Sequence, residues 1–359
     1  MFIINRYILK KFLSSFFLAM GLIILIVIVF DVSEKIDDFL HKNAPLHLIV
    51  FQYYFNFIPF FVNMFSPLFT FIAVIFFTSK MAGNTEIIAI LSTGISFKRL
   101  LVPYLYGALI IAVMTFLLSN FLIPINNQYR IDFESKYIKN RTKSSFSDIH
   151  LQLEKNAHIY AASFENKDKI AYDFTFERFN EKNEVEQKIS ARSITYDSVT
   201  NLWRCDNYSA RTINDINETL HFCKDTAIAI NLMPKDFNIM LEKSETMNLF
   251  ELNQFIEREK LRGSSYVKTY LIEKYRRLFN PLMVIVMTFI GVAVSSRKVR
   301  GGVGIHLAIG IVIAFSYVMF SQVSTVFSVK GNMSPLLSVI LPTLFYGALA
   351  AFLLRTTPK

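Results

Sequence analysis

Few residues in this 359-residue chain could carry chemistry, and their spacing decides what kind. The six histidines, at 41, 47, 150, 158, 221 and 306, are scattered and share no spacing that converges on a metal ion. There is no Gly-x-x-x-x-Gly-Lys-Ser/Thr phosphate loop, no His-Glu-x-x-His and no Cys-x-x-Cys. An enzyme, a metal site or a cofactor bound by this chain is therefore not expected. Glu86 stands apart. In Asn84-Thr-Glu86-Ile-Ile-Ala-Ile-Leu91-Ser-Thr-Gly94 it occupies the first turn of a short helix over about 84–93, where the helix dipole favours an acid. Asn84 reads as the cap and Gly94 as the stop, with Ile87, Ile88, Ile90 and Leu91 as one apolar face. Such a helix either lies on lipid headgroups or docks into a partner's groove, with Glu86 meeting a partner cation. On these residues alone both readings stand.

His306 is the one titratable group in its apolar run, and its place beside Arg300-Gly-Gly-Val-Gly sets it at headgroup level. A proton relay or substrate contact is the alternative reading. If Asn214-Asp215 turns a hairpin, Cys205 and Cys223 face each other. They are then either a cross-strand disulfide or two small buried hydrophobes.

The elements that must hold these residues are membrane helices. Hydrophobic residues make up 53% of the chain and charged ones 18%, with 36 Phe. Mean hydropathy is +0.37. The excess is concentrated in long uncharged runs, and about 20 apolar residues span a bilayer. Soluble, disordered and nucleic-acid-binding classes are excluded despite a pI of about 9.4. Six spans are expected, near 12–30, 59–79, 100–122, 278–296, 303–327 and 334–354, with an interfacial approach at 45–57. Pro59 and Pro67 divide the second run and Pro124 closes the third. The first run is too long for a signal-peptide core and is followed by Asp31-Val-Ser-Glu-Lys, so it is read as an uncleaved span. Arg6, Lys10, Lys11, Lys80, Lys98, Arg99, Arg297, Lys298, Arg300, Arg355 and Lys359 fall on one side, against Glu86 alone. That asymmetry places both termini in the cytoplasm and residues 130–277 outside.

The outer segment begins with a helical stalk over 128–138. Strand-like pieces follow at 157–163, 170–179, 187–197, 202–212, 219–223 and 226–232, and Ile170, Tyr172, Phe174 and Phe176 alternate. An antiparallel sandwich or partly open barrel suits this pattern. Asn248 and Glu251 have capping-box spacing before a helix over 249–261, with Gly263 as its stop. A last helix starts near Ser265 and runs into the fourth span. The fold expected is thus an α-helical membrane protein of six transmembrane helices, with an all-β extracytoplasmic domain between helices 3 and 4. The divisions are 1–127, 128–264 and 265–359.

Arg6-Tyr7-Ile8, the Glu86–Ser96 stretch, Phe279-Asn-Pro281-Leu-Met-Val-Ile-Val-Met-Thr, Gly304-Ile-His to Tyr317 and Leu341-Pro342 together resemble the LptF/LptG permease family of lipopolysaccharide export. The resemblance covers nearly the whole chain, and length and the sixth-span ending incline it toward LptG. It implies half of a heterodimer with a paralogous permease in the bacterial inner membrane, served by an LptB-like ATPase dimer that uses ATP and Mg. Glu86, Ile87, Ile90, Leu91 and Gly94 would then belong to the coupling helix. The outer domain would be a β-jellyroll receiving acyl chains of lipopolysaccharide and passing them to LptC/LptA-like jellyroll proteins. The first and fifth spans would form a lateral gate, here at Phe30, Phe315 and Tyr317. Lys35 and Lys42, set among Asp31, Glu34, Asp37 and Asp38, would be the lysines meeting the lipid headgroup. A membrane scaffold whose β-domain binds envelope components without transport, or a secondary carrier working alone, would be the other classes.

Overall fold

The computed structural model describes residues 2–138, 146–154, 156–165, 168–181, 184–198, 200–214, 217–230, 232–234, 244–261, 264, 266–297, 299 and 302–356. Asp215, Gly263, Lys298, Arg300 and Lys359, each given a role above, lie outside the described residues.

Six of the described helices are long and apolar enough to cross a membrane. They are α1 (Phe2–His41), α2 (Leu46–Gly83), α4 (Phe97–Tyr137), α6 (Val267–Ser295), α7 (Gly302–Lys330) and α8 (Pro335–Thr356). Short α3 (Glu86–Ser92) lies between α2 and α4, and α5 (Leu249–Leu261) precedes α6. The chain divides into a helix unit (Met1–Phe133, Glu245–Leu249, Leu271–Lys359) and a sheet unit (Glu134–Ser244, Phe250–Tyr270).

The helices outrun the expected spans. At 1.5 Å per residue, the 40 residues of α1 reach roughly 60 Å, about twice the hydrocarbon thickness. Asp31 does not end α1, because no glycine or proline follows it before His41 and Asp31 pairs with Lys35 one turn on. Pro59 and Pro67 lie inside α2, and α4 runs through Pro124. Each helix also holds a π-helical turn, at Ile49–Tyr54 ahead of Pro59 and Pro67 and at Leu118–Leu122 between Pro103 and Pro124. Freed carbonyls are satisfied by side chains: Asn56 Nδ2 donates to Phe51 O (3.2 Å) and Gln52 O (2.8 Å), and Asn120 Nδ2 to Phe116 O (2.8 Å). The interfacial approach at 45–57 is therefore the start of α2 itself.

Two cores meet at α2 and α6. One joins Ile8 and Phe12 of α1, Val74 and Phe77 of α2, Ile87 of α3, Tyr104 of α4 and Val292 of α6. The other joins Phe71 and Ile75 of α2, Met287 of α6, Ala314 of α7 and Tyr346 of α8. In the first, Phe12 stacks on Phe77 (5.7 Å), and Phe77 on Tyr104 (5.4 Å). Gly107 makes this possible, since a Cβ there would stand 2.3 Å from Phe12 Cδ1.

The sheet unit holds β1 (Phe146–Glu154), β2 (Ala157–Glu165), β3 (Ile170–Phe179), β4 (Val185–Asp197), β5 (Leu202–Asn214) and β6 (Asn217–Ile228). Each pairs antiparallel with the next, so among the described strands the order is a meander without the Greek-key crossovers of a jelly roll. Strand β1 is additional to the expected set, and the two last expected pieces are one strand.

Every ladder is interrupted along a single line that crosses the sheet at Asp148, Ala162, Asp173, Arg192, Asn207 and Lys224. Asp173 (φ 49°) and Asn207 (φ 52°) are left-handed there, a conformation Asp and Asn tolerate. The inward face changes parity across this crease: Ala171 but Phe174 and Phe176 on β3, Ile189 and Ala191 but Ile194 on β4. One buried surface thus continues over the bend. Tyr172, expected to share a face with Phe174, is 40% exposed.

The β5–β6 hairpin closes at Asn214 and Asn217, later than assumed above. Cys223 therefore pairs with Tyr208, and Cys205 with Thr226. Three positions apart in register, the cysteines are not opposed, and both are free thiols, Cys205 buried and Cys223 exposed. Burial, with the Asp225 charge adding to it, pushes the Cys205 thiol up to about 12. Neither the cross-strand disulfide nor the pair of buried hydrophobes describes them: one is an inert core thiol and the other a surface thiol.

Candidate functional site

The chemistry expected of Glu86 rests on a helix that is held differently from the expectation. Thr85, not Asn84, is the N-cap residue of α3, in a left-handed conformation (φ 60°) without a side-chain cap. Gly94 follows the helix at φ 85°, which a residue with a Cβ adopts only under strain. Seven residues are thus bracketed by two left-handed turns. Ile87 is buried, and Ile90 and Leu91 pack against the same core. Ile88 is 55% exposed, and Ala89, Ser92, Thr93 and Gly94 are exposed with it. The expected four-residue apolar face is split: three side chains anchor α3 to its own chain and one points away.

Glu86 is anchored too. Its Oε2 accepts from the Tyr7 hydroxyl (3.0 Å) and lies 3.5 Å from Lys11 Nζ, while Oε1 accepts from Asn84 Nδ2 (3.3 Å). Lys11 Nζ sits 4.3 Å above the Tyr7 ring, so consecutive turns of α1 converge on one oxygen. Burial pushes the Glu86 carboxyl up, but the hydrogen bonds from Tyr7 and Asn84 and the Lys11 charge outweigh it. The group is held below the usual carboxylate range, ionised at neutral pH.

At the other end of α1, Lys35 Nζ donates to Asp31 Oδ1 (2.5 Å) and to the Tyr53 hydroxyl. Tyr54 donates to Asp31 Oδ2 (3.1 Å), the π-helical turn having swung consecutive tyrosines toward α1. Lys35 is thus engaged within the chain; Lys42 is exposed.

The gate residues are not brought together. α1 packs on α2 and α4, and α7 packs on α2 and α8, so α2 separates the first span from the fifth. Phe30 (71%) and Phe315 (66%) are exposed, whereas Tyr317 turns inward to the Tyr346 ring (5.4 Å). Only 17% of the most apolar stretch of α1 and of α7 is buried, against 50% for α2. His306, expected at headgroup level, is buried and bonded through Nδ1 to the Ser79 hydroxyl. In the sheet unit, a cavity of about 440 Å³ is lined by Leu153, Phe176, Arg178, Gln187, Ile189 and Ile230. Among the described residues β1 and β6 are the sheet's edges, and Leu220 (56%) and Phe222 (77%) are exposed on β6.

Tyr7, Lys11, Asp31, Tyr53 and Tyr54 were not given these partners from the sequence. Their one local signal was the four-residue spacing of Tyr7 and Lys11 and of Asp31 and Lys35, which marks a shared helix face but names no partner elsewhere. A family model described as Lipopolysaccharide export system permease LptF/LptG matches residues 6–356. No curated protein matches the chain.

Proposed function

The chain belongs to the LptF/LptG family of lipopolysaccharide export permeases, and we propose that it is one half of an exporter powered by ATP hydrolysis in a separate subunit. The observation that carries this is α3: a short, rigidly bracketed helix presenting Ile88 and an ionised Glu86, the one acid among eleven cations. An LptB-like ATPase dimer, using ATP and Mg, would seat that helix in a groove, with Glu86 meeting a cation there. The charge asymmetry puts both termini in the cytoplasm and the sheet unit in the periplasm.

The sparsely buried α1 and α7 are suited to covering by a second, paralogous permease. A lateral gate would then form between α1 of one subunit and α7 of the other, which brings Phe30 and Phe315 into play although they are apart within the chain. The cavity of the sheet unit, with Leu153, Phe176, Ile189 and Ile230 in its lining, would receive acyl chains of lipopolysaccharide or a related glycolipid. An LptC/LptA-like partner would extend the sheet at an edge such as β6.

Lys35 can meet a headgroup phosphate only by leaving Asp31. Asp31→Asn is therefore expected to strengthen binding of a phosphorylated glycolipid a few-fold, since it removes the charge that holds Lys35 in a pair whose side chains are only 21% and 12% exposed. Lys35→Ala with Lys42→Ala is expected to weaken it. Lipid bound by the purified complex is the measurement, and equal binding by all three proteins would remove both lysines from the headgroup site.

The function itself is tested by gentle purification of the tagged chain from its native membrane. Recovery with an ATPase subunit and a second permease is expected. Recovery alone, with ion-driven or no lipid movement, would favour a carrier or a scaffold instead.

A further inference from the structure

The Glu86 carboxylate has two oxygens with different surroundings, and the difference carries an inference that rests on the ATPase-docking role of α3. Oε2 is enclosed by α1, through the Tyr7 hydroxyl at 3.0 Å and Lys11 Nζ at 3.5 Å. Among the described residues Oε1 has only the local Asn84 amide, at 3.3 Å, and Asn84 is exposed. A partner cation approaching the exposed side of α3 therefore meets Oε1 and leaves Oε2 to α1. We propose that Tyr7 and Lys11 are positioning residues that make Glu86 a joint, binding the docked helix and the first membrane helix to opposite oxygens of one carboxylate.

Three further observations support this. Ile87 of α3 shares a core with Ile8 and Phe12, the residues that follow Tyr7 and Lys11 in α1, so the joint has an apolar half as well. The left-handed residues Thr85 and Gly94 leave α3 a short body bracketed by turns, whose attachment to α1 is lateral. Beyond this region α1 runs unbroken to His41 with no proline inside it, and Leu18, Leu22, Leu25, Val29 and Phe30 are exposed along it. From Tyr7 to Phe30 a helix rises roughly 35 Å. A small rotation imposed at Glu86 is thus carried along a stiff rod to Phe30, which adjoins the second place where the chain grips α1, the Tyr54 hydrogen bond to Asp31. Tyr7 and Lys11 need not hold the ATPase subunit at all; their work is to carry its motion.

The test uses the assembled complex of this chain with its ATPase and second permease, in vesicles loaded with glycolipid, and reads lipid released per ATP hydrolysed. For Tyr7→Phe and for Lys11→Met, the ATPase subunit should remain in the complex and hydrolysis should continue. Lipid released per ATP should fall roughly tenfold, the scale of one lost hydrogen bond to a charged group. Lys11→Arg should restore the ratio. Combining the two substitutions should cost little more than either, because both act on one oxygen. An unchanged ratio in the double variant overturns the inference. So does loss of the ATPase subunit from Tyr7→Phe, which would make Tyr7 part of the docking surface. Failure of the unsubstituted chain to assemble with an ATPase overturns the function proposed above instead.

Discussion

Glu86→Lys is expected to strip the ATPase subunit from the purified complex and abolish lipid export, while the chain itself still accumulates in the membrane. The two halves of that expectation have different magnitudes. Within the chain, Glu86 contributes a partly exposed pair with Lys11 and hydrogen bonds from Tyr7 and Asn84, with 29% of its side chain open to solvent. A pair of that kind is worth ~0.2–1 kcal/mol, too little to unfold a helix anchored by Ile87. At a docked interface the substitution leaves a partner cation buried against a like charge. Removing one partner of a buried charged pair costs about 2–5 kcal/mol, roughly 30-fold to several thousand-fold in affinity. Glu86→Gln separates shape from charge, keeping one carbonyl oxygen, for Tyr7 or for Asn84 but not both, and offering no ionic partner. Retention of the ATPase by Glu86→Lys would remove α3 from the interface.

The second large effect is expected at Gly107. Its missing Cβ is the space occupied by Phe12, and a methyl there would stand 2.3 Å from the ring. Phe12 cannot swing aside cheaply, because its other contacts are the Phe77 and Tyr104 rings at 5.7 and 6.3 Å. Overpacking of this sort costs about 1–3 kcal/mol for Gly107→Ala, and Gly107→Val adds more bulk at the same point. The expected result is a lower thermal midpoint in detergent for alanine and little recoverable protein for valine. Phe12→Leu should restore part of the loss in the alanine variant, a coupling that two independent sites would not show. Additive effects would mean that α1 does not rest on α4 at this position.

The six spans were legible because their apolar runs are long and their flanking charges alternate in side. Their ends were not. Lys, Glu and Leu beyond Asp31 propagate a helix as readily as they end a hydrophobic run, and α2 and α4 run on through Pro59, Pro67 and Pro124. In the sheet, alternation over 170–176 placed Tyr172 with Phe174, which holds only if the strand is straight. The left-handed Asp173 reverses the faces between them. The same kind of local register decided the cysteines, where a shift of three in the paired positions separated the two thiols. At the candidate site, Glu86 was visible as a lone acid among cations. Tyr7 and Lys11 were not, because the contact joins positions 79 residues apart and nothing local to either end implies it. Nor could the sequence divide Ile87 from Ile88, since adjacent apolar residues in a seven-residue helix have no periodicity long enough to choose a face.

The crease in the sheet has a consequence for how the domain is assembled. A plain antiparallel hairpin can slip by two residues and keep every side chain on its proper face, so period-two patterning alone leaves register ambiguous in steps of two. Here each strand carries an indexing mark, the unpaired position at 148, 162, 173, 192, 207 or 224, and in native pairing all six marks align. A slip of two sets a left-handed Asp173 or Asn207 against an ordinary pair on its neighbour and turns apolar residues outward on one side of the bend. Misregistered hairpins are therefore poor templates for the next strand, and the meander proofreads itself as it grows. The marks also constrain change over time. Residues can be added or lost in the turns, but a single insertion within one strand would break the alignment across its neighbours.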